Sequence, residues 1–456
     1  MYFFCLIFVN ELHFKDKKTM LINFSVENYR SIKNKVTLSF EASNSNDLED
    51  YFIINASKDL RLLKLGLIYG ANASGKTTLL ESLDFLQELI LEPVEKKNEV
   101  IEFSPFLFDK ESKNKNTNFS IEFFQNNVKY IYNLELNTNS IVFEELYYHK
   151  PNKALVFRRN TELSKQLTKI EFGSKIKINK SHKSTLEANT LWNNTVLGGY
   201  IKTNFESKEL QETIDWFDNK LKPMISSKTS LLGFISRRIE NDKISKNDIV
   251  EFLKKADFNI SDVLIKSEET EVDDDILDFI NKKTLVSNDK LDKIRETGKI
   301  EKKEIFFQHS LNNDNFLMSY NDESQGTQRY YQFSGLLGLM INDELIVPID
   351  EIESSLHPDL LKHFLLSFLA NSKTSQLIAT THHRELLIEK DILRSDAIWF
   401  TEKNDNGCTE LFSLDDFDSS VIRKDTGSIF NAYKTGKLGA VPSLSDYYIE
   451  LENGSN

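Results

Sequence analysis

The sequence predicts an α/β fold in which a mostly parallel sheet carries a phosphate-binding loop, together with an antiparallel β subdomain and a helical insertion. Three observations predict this fold. The apolar run LGLIY leads into the glycine-rich segment GANASGKT, and a helical repeat follows it. Short runs rich in Phe, Tyr, Ile and Val fill residues 101–158, and strand and helix patterns alternate after residue 304. Such alternation around a phosphate-binding loop is typical of a parallel sheet.

The first of four predicted segments, residues 1–19, is expected to lie outside the fold. It begins with MYFFCLIFV, which is too short to span a bilayer and lacks the basic start and cleavage site of a signal peptide. Met20 directly precedes the strand pattern LINFSVEN. A membrane or partner anchor is the alternative for this segment. No other stretch approaches transmembrane length, so we expect no membrane partner.

Residues 20–160 are predicted to form an N-terminal lobe that holds the phosphate-binding loop and the antiparallel subdomain. LINFSVEN and KVTLSFEA alternate as two strands do around a turn. FSIEFF, KYIYNLEL and IVFEELYYH then read as a meander. The helix after the loop is supported by the spacing of its leucines.

Residues 161–303 are predicted to be a mainly helical insertion, and residues 304–456 a C-terminal lobe. ELQETIDWFDNKL and DIVEFLKKADF have helical spacing with charged faces. The charged runs of residues 266–303 predict a solvated helical surface or a mobile insertion. Beyond them, strand patterns return, with an apolar helix at 328–341 and another helix near 358–370.

Composition and charge limit the classes of function. The chain has 456 residues, of which 40% are hydrophobic and 28% charged, enough for two or three domain-sized units with a buried core. A net charge of -13 disfavours a general nucleic-acid or membrane binder, although a local basic groove would still allow DNA binding. Cys5 and Cys408 are the only cysteines and lack metal-ligand spacing, which predicts a reducing cytoplasm without disulfides.

The segment GANASGKT, residues 70–77, matches the pattern G-x-x-x-x-G-K-[ST] at every fixed position. Backbone N–H groups of such a turn wrap phosphate oxygens, and the following helix N-terminus adds partial positive charge. Lys76 would reach the β and γ phosphates, and Thr77 would offer its hydroxyl to Mg²⁺. A chance match is the alternative, but strand, loop and helix are all in place. The predicted nucleotide-binding residues here are Gly70, Asn72, Ala73, Ser74, Gly75, Lys76, Thr77 and Thr78.

The segment LIVPIDE, residues 345–351, is an apolar strand that ends in two acids. We expect Asp350 to hold Mg²⁺ together with Thr77, and Glu351 to polarise the attacking water. A strand that ends in solvent-facing carboxylates is common, but the phosphate-binding loop favours the catalytic interpretation. ATP and Mg²⁺ are therefore the predicted cofactors.

Two further motifs follow in an informative order. ESQGTQRY, residues 323–330, contains Ser324 and Gly326 at a predicted helix N-terminus, where a γ-phosphate could dock. His382 ends the strand pattern SQLIATT after the acidic pair. A surface turn and an ordinary polar histidine are the alternatives for each motif alone. Their order along the chain is that of an ABC-type ATPase head.

These segments resemble the SMC–ABC class of P-loop ATPases. More closely, the chain is similar to bacterial AAA-type ABC ATPases associated with phage defence, which share their head with the overcoming-lysogenization-defect nucleases and the PARIS ATPase. The resemblance implies an ABC/SMC-like head and frames nearly the whole chain from Met20. The matching segments are NFSVENYRSI at 23–32, YGANASGKTTLL at 69–80, ESQGTQRY at 323–330, PIDEIESSLHPDL at 348–360, QLIATTHHREL at 376–386 and the tail from DAIWFTEK to YKTGKLGAVP at 433–442.

The resemblance also implies roles for single residues. Ser324 and Gly326 would cap ATP held by the other subunit of an ATP-dependent homodimer or higher oligomer. The D-loop would comprise Ser354, Ser355 and Leu356. His382 would be the switch histidine at the γ-phosphate, and Arg30 would approach the nucleotide. The sequence departs from the family at Glu323, Gln325 and His357, and no Q-loop glutamine can be placed.

Three functions remain open from the sequence. The first is an ATPase switch that dimerises on ATP and controls a separate nuclease or toxin in anti-phage defence, because too few residues follow His382 for a Toprim nuclease domain. The second is an SMC-type DNA-repair or DNA-end-binding ATPase. The third is a non-hydrolysing, nucleotide-gated scaffold. The acids at 272–275 are predicted to be a solvated loop rather than a nuclease site.

Overall fold

The computed structural model describes residues 18–271, 299–312, 314–418 and 426–441. The chain forms two compact units, which are described separately. Of the described residues, those within Met1–Ser227, Asp343–Ile352 and Leu369–Asn456 form the first unit, and those within Lys228–Asn342 and Glu353–Phe368 form the second.

A five-stranded sheet in the first unit carries the phosphate-binding loop. Its order is β14-β15-β5-β16-β17, and all neighbours are parallel except the antiparallel pair β16-β17. The predicted, mostly parallel sheet is therefore confirmed. The apolar strand β5 is buried throughout, as expected for a parallel strand covered on both faces. The strands are β5 (Leu65–Gly70), β14 (Ile346–Ile349), β15 (Gln376–Thr381), β16 (Ile398–Lys403) and β17 (Thr409–Ser413).

The first unit also contains a seven-stranded antiparallel sheet in the order β10-β9-β8-β7-β6-β1-β2. Strict alternation of buried and half-buried residues along β7 shows one face packed on the core. The antiparallel subdomain is confirmed. Its strands are β1 (Met20–Glu27), β2 (Val36–Ser39), β6 (Thr117–Gln125), β7 (Val128–Asn137), β8 (Ser140–His149), β9 (Lys153–Glu162) and β10 (Leu167–Phe172). A separate pair joins β3 (Ile53–Asn55) to β4 (Arg61–Leu63).

The helices of the first unit include the one that follows the phosphate-binding loop. This helix, α2, buries Leu79, Leu83, Leu86 and Ile90, the repeat that predicted it. The helices are α1 (Glu49–Phe52), α2 (Lys76–Leu91), α3 (Lys180–Asn189), α4 (Val196–Ile201), α5 (Lys208–Asp215) and α10 (Thr426–Lys434). Helix α9 (Pro358–Asn371) begins in the second unit and ends in the first.

The second unit combines helices with a three-stranded antiparallel sheet in the order β11-β12-β13. Helix α8 (Gln325–Asn342) starts three residues earlier than the helix predicted at 328–341, and it is buried along most of its length. The helices are α6 (Leu232–Glu240), α7 (Lys246–Lys255) and α8 (Gln325–Asn342), and the strands are β11 (Ile260–Glu271), β12 (Lys299–Leu311) and β13 (Asp314–Ser319).

The predicted boundaries differ from the elements at three places. The boundary at residue 160 falls inside β9, the boundary at residue 303 falls inside β12, and β10 and β11 lie within the segment expected to be mainly helical. Their frequent charges hid the alternation that marks a strand. Upstream, Thr19 is buried and donates its hydroxyl to Gln125 Oε1 at 3.0 Å, so the fold includes this residue before Met20. Residues 1–17 and the acids at 272–275 lie outside the described residues.

Candidate functional site

The loop between β5 and α2 has the backbone geometry that its glycines predict. Gly75 adopts a φ of 109°, which glycine tolerates and other residues rarely do. A Cβ at Gly75 would lie 2.2 Å from Thr409 Oγ1, and a Cβ at Gly70 would lie 2.4 Å from Thr401 Oγ1. Both glycines therefore allow the two strands β16 and β17 to support the loop from one side. Ala73 holds a left-handed φ of 63° without being glycine.

Two threonines on these strands fix the loop, and sequence reasoning missed both. Thr401 Oγ1 lies 2.6 Å from Ser74 Oγ, and Thr409 Oγ1 donates to the Ser74 carbonyl at 2.9 Å. Ser74 itself is almost fully buried. We call Thr401, Thr409 and Ser74 the loop clasp. No sequence pattern marked the two threonines, because they follow the loop by more than 300 residues.

The turn between β1 and β2 is tied to the same loop. Ser31 Oγ lies 2.8 Å from Thr409 Oγ1 and donates to Thr78 Oγ1 at 3.3 Å. The predicted nucleotide contact Arg30 sits in this turn with a φ of 47° and forms an ion pair with Glu81 on α2. Its side chain remains nearly half exposed. The structure thus places Arg30 against α2, one turn beyond the loop.

Lys76 lies over the loop that it follows. Its side chain is buried, and Nζ donates to the carbonyl oxygens of Gly70 at 2.9 Å and Ala71 at 3.1 Å. The first turn of α2 carries no acidic residue. The ammonium group of Lys76 adds to the positive end of the helix dipole, and both favour an anion here.

Asp350 lies between two hydroxyl groups at the carboxyl edge of the sheet. Thr77 Oγ1 donates to Asp350 Oδ2 at 2.9 Å, and Thr380 Oγ1 donates to Asp350 Oδ1 at 2.6 Å. The structure therefore brings Thr77 and Asp350 together, while their binding of Mg²⁺ stays a prediction. Thr380 was missed in the sequence analysis. Its position near the end of the strand pattern QLIATT, just before His382, could have identified it, because this strand pairs with the one that leads to Asp350.

Glu351 follows Asp350 in a strained backbone conformation. Its φ is 51°, in the left-handed region that non-glycine residues rarely occupy. Its N–H donates to Thr380 Oγ1 at 2.8 Å, so one threonine orients both acids. Glu351 is exposed, and so is His382 beyond the end of the neighbouring strand β15. Backbone strain of this kind concentrates at functional sites and leaves the carboxylate in reach of solvent.

Ser324 and Gly326 belong to the second unit, where they lie at the start of α8. Ser324 Oγ accepts the N–H of Thr327 at 3.1 Å, as a helix N-cap residue does. A Cβ at Gly326 would lie 3.3 Å from the carbonyl oxygen of Ser355. The segment predicted as the signature therefore lies beside the predicted D-loop. Glu323, a departure from the family pattern, contacts His309 Nε2 at 2.6 Å and is thereby held in the fold.

The donor atoms at the loop suit a nucleotide with Mg²⁺. Thr77 supplies a hydroxyl oxygen and Asp350 a carboxylate oxygen, the hard ligands that Mg²⁺ prefers, and Mg²⁺ usually takes its other ligands from phosphates and water. Across the described ranges, no group of three or more His, Cys, Asp or Glu residues is placed to hold a metal ion. No helix within those ranges is long and apolar enough to cross a membrane.

Comparison with known proteins identifies a family whose model matches most of the chain. A family model described as "AAA domain, putative AbiEii toxin, Type IV TA system" matches residues 67–389, which include the loop, the acidic pair and His382. The search of curated proteins found no match.

Solved structures similar to the chain include heads of SMC proteins at low identity. One is the SMC head domain from Thermotoga maritima, with 12% identity and a TM-score of 0.39, covering 86% of this chain and 98% of that chain. Another is an SMC head bound to the C-terminal winged-helix domain of ScpA, with 11% identity, a TM-score of 0.39 and coverage of 86% and 97%. A third, from Pyrococcus furiosus, has 13% identity, a TM-score of 0.37 and coverage of 92% and 99%.

Proposed function

Because the chain belongs to the AAA-domain family whose model spans residues 67–389, we propose that it binds ATP with Mg²⁺ and hydrolyses the ATP. The observation that carries this proposal is the contact between Thr77 Oγ1 and Asp350 Oδ2 at 2.9 Å. It joins the phosphate-binding loop to the acidic strand at the carboxyl edge of a parallel sheet. Ligands of open α/β sheets bind at this edge.

Each side chain of the site has a separate task in this proposal. Loop N–H groups and Lys76 bind the phosphates, and Thr77 and Asp350 would hold Mg²⁺, which would neutralise phosphate charge when bound. Thr380 keeps Asp350 in place through its 2.6 Å hydrogen bond. Glu351, exposed at the same edge, polarises the attacking water as a general base.

We further propose that two copies of the chain close on ATP. In a homodimer, Ser324 and Gly326 of one copy would cap the nucleotide held by Lys76 of the other. Support comes from the second unit, where Gly326 adjoins Ser355, so that the predicted signature and D-loop form one continuous surface. Because Ser324 caps α8, its hydroxyl also stands at a helix N-terminus, which favours an anion.

Mixing two inactive variants tests the composite site. Ser324→Arg would block closure, and Lys76→Ala would remove the phosphate contact, so each homodimer should hydrolyse no ATP. A mixed dimer retains one site with an intact Lys76 and an intact partner Ser324. The mixture should therefore release phosphate again. At most about half of the sites in each mixed dimer should be active. A crosslink that depends on ATP should report dimer formation. No recovery and no crosslink, alongside wild-type hydrolysis as a monomer, would refute the dimer.

The proposed role of this ATPase is a cytoplasmic switch that controls a separate nuclease or toxin in anti-phage defence. The description of the family model, which names a putative toxin and a type IV TA system, supports a role in a two-gene system of this kind. The test is phage plating on cells that carry the chain with its neighbouring gene, with Lys76→Ala as the matched control. Protection that requires both genes and an intact Lys76 is expected. Equal plating of wild type and Lys76→Ala would contradict the role.

A further inference from the structure

A rigid loop beside the phosphate-binding loop presents an exposed aromatic ring. Phe108 is 76% exposed, the largest value for any large apolar side chain of the described residues. We propose that the ring of Phe108 is the stacking platform for the base of the nucleotide whose phosphates Lys76 and its loop hold. The inference rests on the proposed ATP binding and adds a residue that recognises the aromatic base.

The segment that carries Phe108 is anchored by the turn after β1. Arg30 N–H donates to the Ser104 carbonyl at 2.8 Å, and Phe106 N–H donates to Asn28 Oδ1 at 3.1 Å. The buried Asn28 also donates through Nδ2 to the Ser112 carbonyl at 2.9 Å. The Asn28 side chain therefore holds the segment on both sides of Phe108, at Phe106 and at Ser112, so that Phe108 stands on an anchored support.

The residue after Phe108 strengthens this support. Asp109 forms an ion pair with Lys33 at 3.0 Å and accepts hydrogen bonds from Glu111 N and Ser112 Oγ, both at 3.0 Å. These contacts, with the Glu111 N–H first, lower the pKa of Asp109 to about 2. The carboxylate therefore stays ionised, and its contacts intact, throughout the neutral range.

The ring of Phe108 also contacts the hairpin that supports the phosphate-binding loop. A Cβ built at Gly407 would lie 2.8 Å from the Phe108 ring, so the ring rests on the bare backbone of that glycine. Only two residues later, Thr409 donates to the Ser74 carbonyl at 2.9 Å. Two residues span at most about 7 Å, which keeps the ring close to the loop. The nucleotide's base and its phosphates would thus be held by neighbouring supports.

Exposure alone would not justify this assignment, because single exposed apolar side chains are common. What distinguishes Phe108 is its rigid mounting next to a site for a ligand that contains an aromatic ring. The ring forms a T-shaped pair with the buried Phe106 ring at a centroid distance of 5.8 Å, and most of its surface is exposed to solvent. A ring already held in place loses little conformational entropy on binding.

The experiment compares two ligands that share phosphates and differ in the base. Calorimetry on the full chain would measure a nonhydrolysable ATP analogue and inorganic tripolyphosphate, both with Mg²⁺, for wild type, Phe108→Ala and Phe108→Trp. Phe108→Ala should bind the analogue about tenfold more weakly and tripolyphosphate as wild type does, since base stacking on an aromatic ring accounts for that order of affinity. Phe108→Trp should keep the affinity, and its fluorescence should be quenched by the analogue but not by tripolyphosphate.

Leu107→Ala is the matched control, since Leu107 is the exposed apolar neighbour on the same loop. It should bind both ligands as wild type does. Unchanged analogue affinity in Phe108→Ala, or an equal loss for both ligands, would overturn the stacking assignment while leaving ATP binding intact. If wild type binds neither ligand, or if Lys76→Ala binds both as wild type does, the proposed function itself fails.

Discussion

Asp350 and Glu144 are both buried carboxylates of the first unit, but they have different partners. Asp350 accepts hydrogen bonds from the hydroxyls of Thr77 and Thr380 at the edge of the parallel sheet. Glu144 is fully buried in the antiparallel sheet, where it accepts from Tyr132 OH at 2.9 Å and from Val196 N at 2.7 Å, and faces Arg159 at 3.8 Å.

The difference between these carboxylates separates catalysis from structure. The hydroxyl groups that donate to Asp350 can rotate toward a metal ion or a phosphate. Glu144 and Arg159 instead form a buried pair without access to solvent. Burial raises the pKa of Glu144 to about 7, against the opposing effect of Arg159, and lowers the pKa of Arg159 to about 10. Burial therefore outweighs pairing for both partners. We infer that the first carboxylate supports chemistry and the second joins β8 to the start of α4.

The largest expected effect on stability comes from Glu144→Ala. The change leaves Arg159 as a buried charge without its carboxylate, which costs about 3–5 kcal/mol in the free energy of unfolding. Urea unfolding would measure it, and the ATP affinity of the folded protein should remain unchanged. The matched control is Glu145→Ala, which breaks the more exposed pair with Arg158 and should cost at most about 1 kcal/mol. Equal costs would contradict the structural role of Glu144.

Asp350→Asn should have the opposite profile. An amide keeps an acceptor oxygen for one of the two hydroxyls and offers an N–H donor to the other, which can rotate to accept it. The change removes the charge for Mg²⁺, so we expect ATP hydrolysis at least ~100-fold slower. The free energy of unfolding should change by no more than about 1 kcal/mol. Phosphate release and urea unfolding of the same preparation would check both. Normal turnover, or a large loss of stability, would remove the contrast with Glu144.

A smaller effect is expected at the loop clasp. Thr409→Val keeps the side chain's shape but loses the hydrogen bond to the Ser74 carbonyl and the contact with Ser31 Oγ. ATP binding should weaken about tenfold, because the loop is less well fixed. Calorimetry would measure it against Thr37→Val, which removes a hydroxyl pair with Ser25 on β1 and β2. If the two variants bind ATP equally well, the clasp does not position the loop.

Stability should also depend on pH. The folded-state pKa of Glu144 is raised from 4.5 to about 7, so its contribution is fully present below pH 4.5 and is lost as the pH rises through 7. Glu144→Gln lacks this titration. The stability of wild type relative to Glu144→Gln should therefore fall between pH 5 and pH 8 in urea unfolding. If the difference in the free energy of unfolding between the two proteins stays constant or rises across this range, the raised pKa of Glu144 is wrong.

The sequence predicted the parts of the site that are local or lie at strand ends. One short motif contains Gly70, Gly75, Lys76 and Thr77. Asp350 was predicted because it follows an apolar strand. Family membership followed from these motifs and is confirmed by the match over residues 67–389. The roles of Ser324, Gly326, His382 and Arg30 stay predictions.

Other parts of the molecule could not be predicted because they depend on contacts distant in sequence. Thr401 and Thr409 reach the loop only because β16 and β17 follow β5 in the sheet order. Glu144 and Arg159 look like ordinary charged residues of alternating strands, and only the fold shows that both are buried. Strand β11 was missed because charged residues occupy positions that normally reveal alternation.

ATP turnover by Glu351→Gln tests whether Glu351 activates the water that hydrolyses ATP. This change leaves the phosphate contacts of Lys76 and the Thr77–Asp350 pair intact, but an amide cannot act as the base that polarises water. Calorimetry and phosphate release on the same preparation should show ATP bound as tightly as by wild type and hydrolysed at least ~100-fold more slowly. Wild-type turnover by Glu351→Gln would contradict the proposed role of Glu351, because another group would then activate the water.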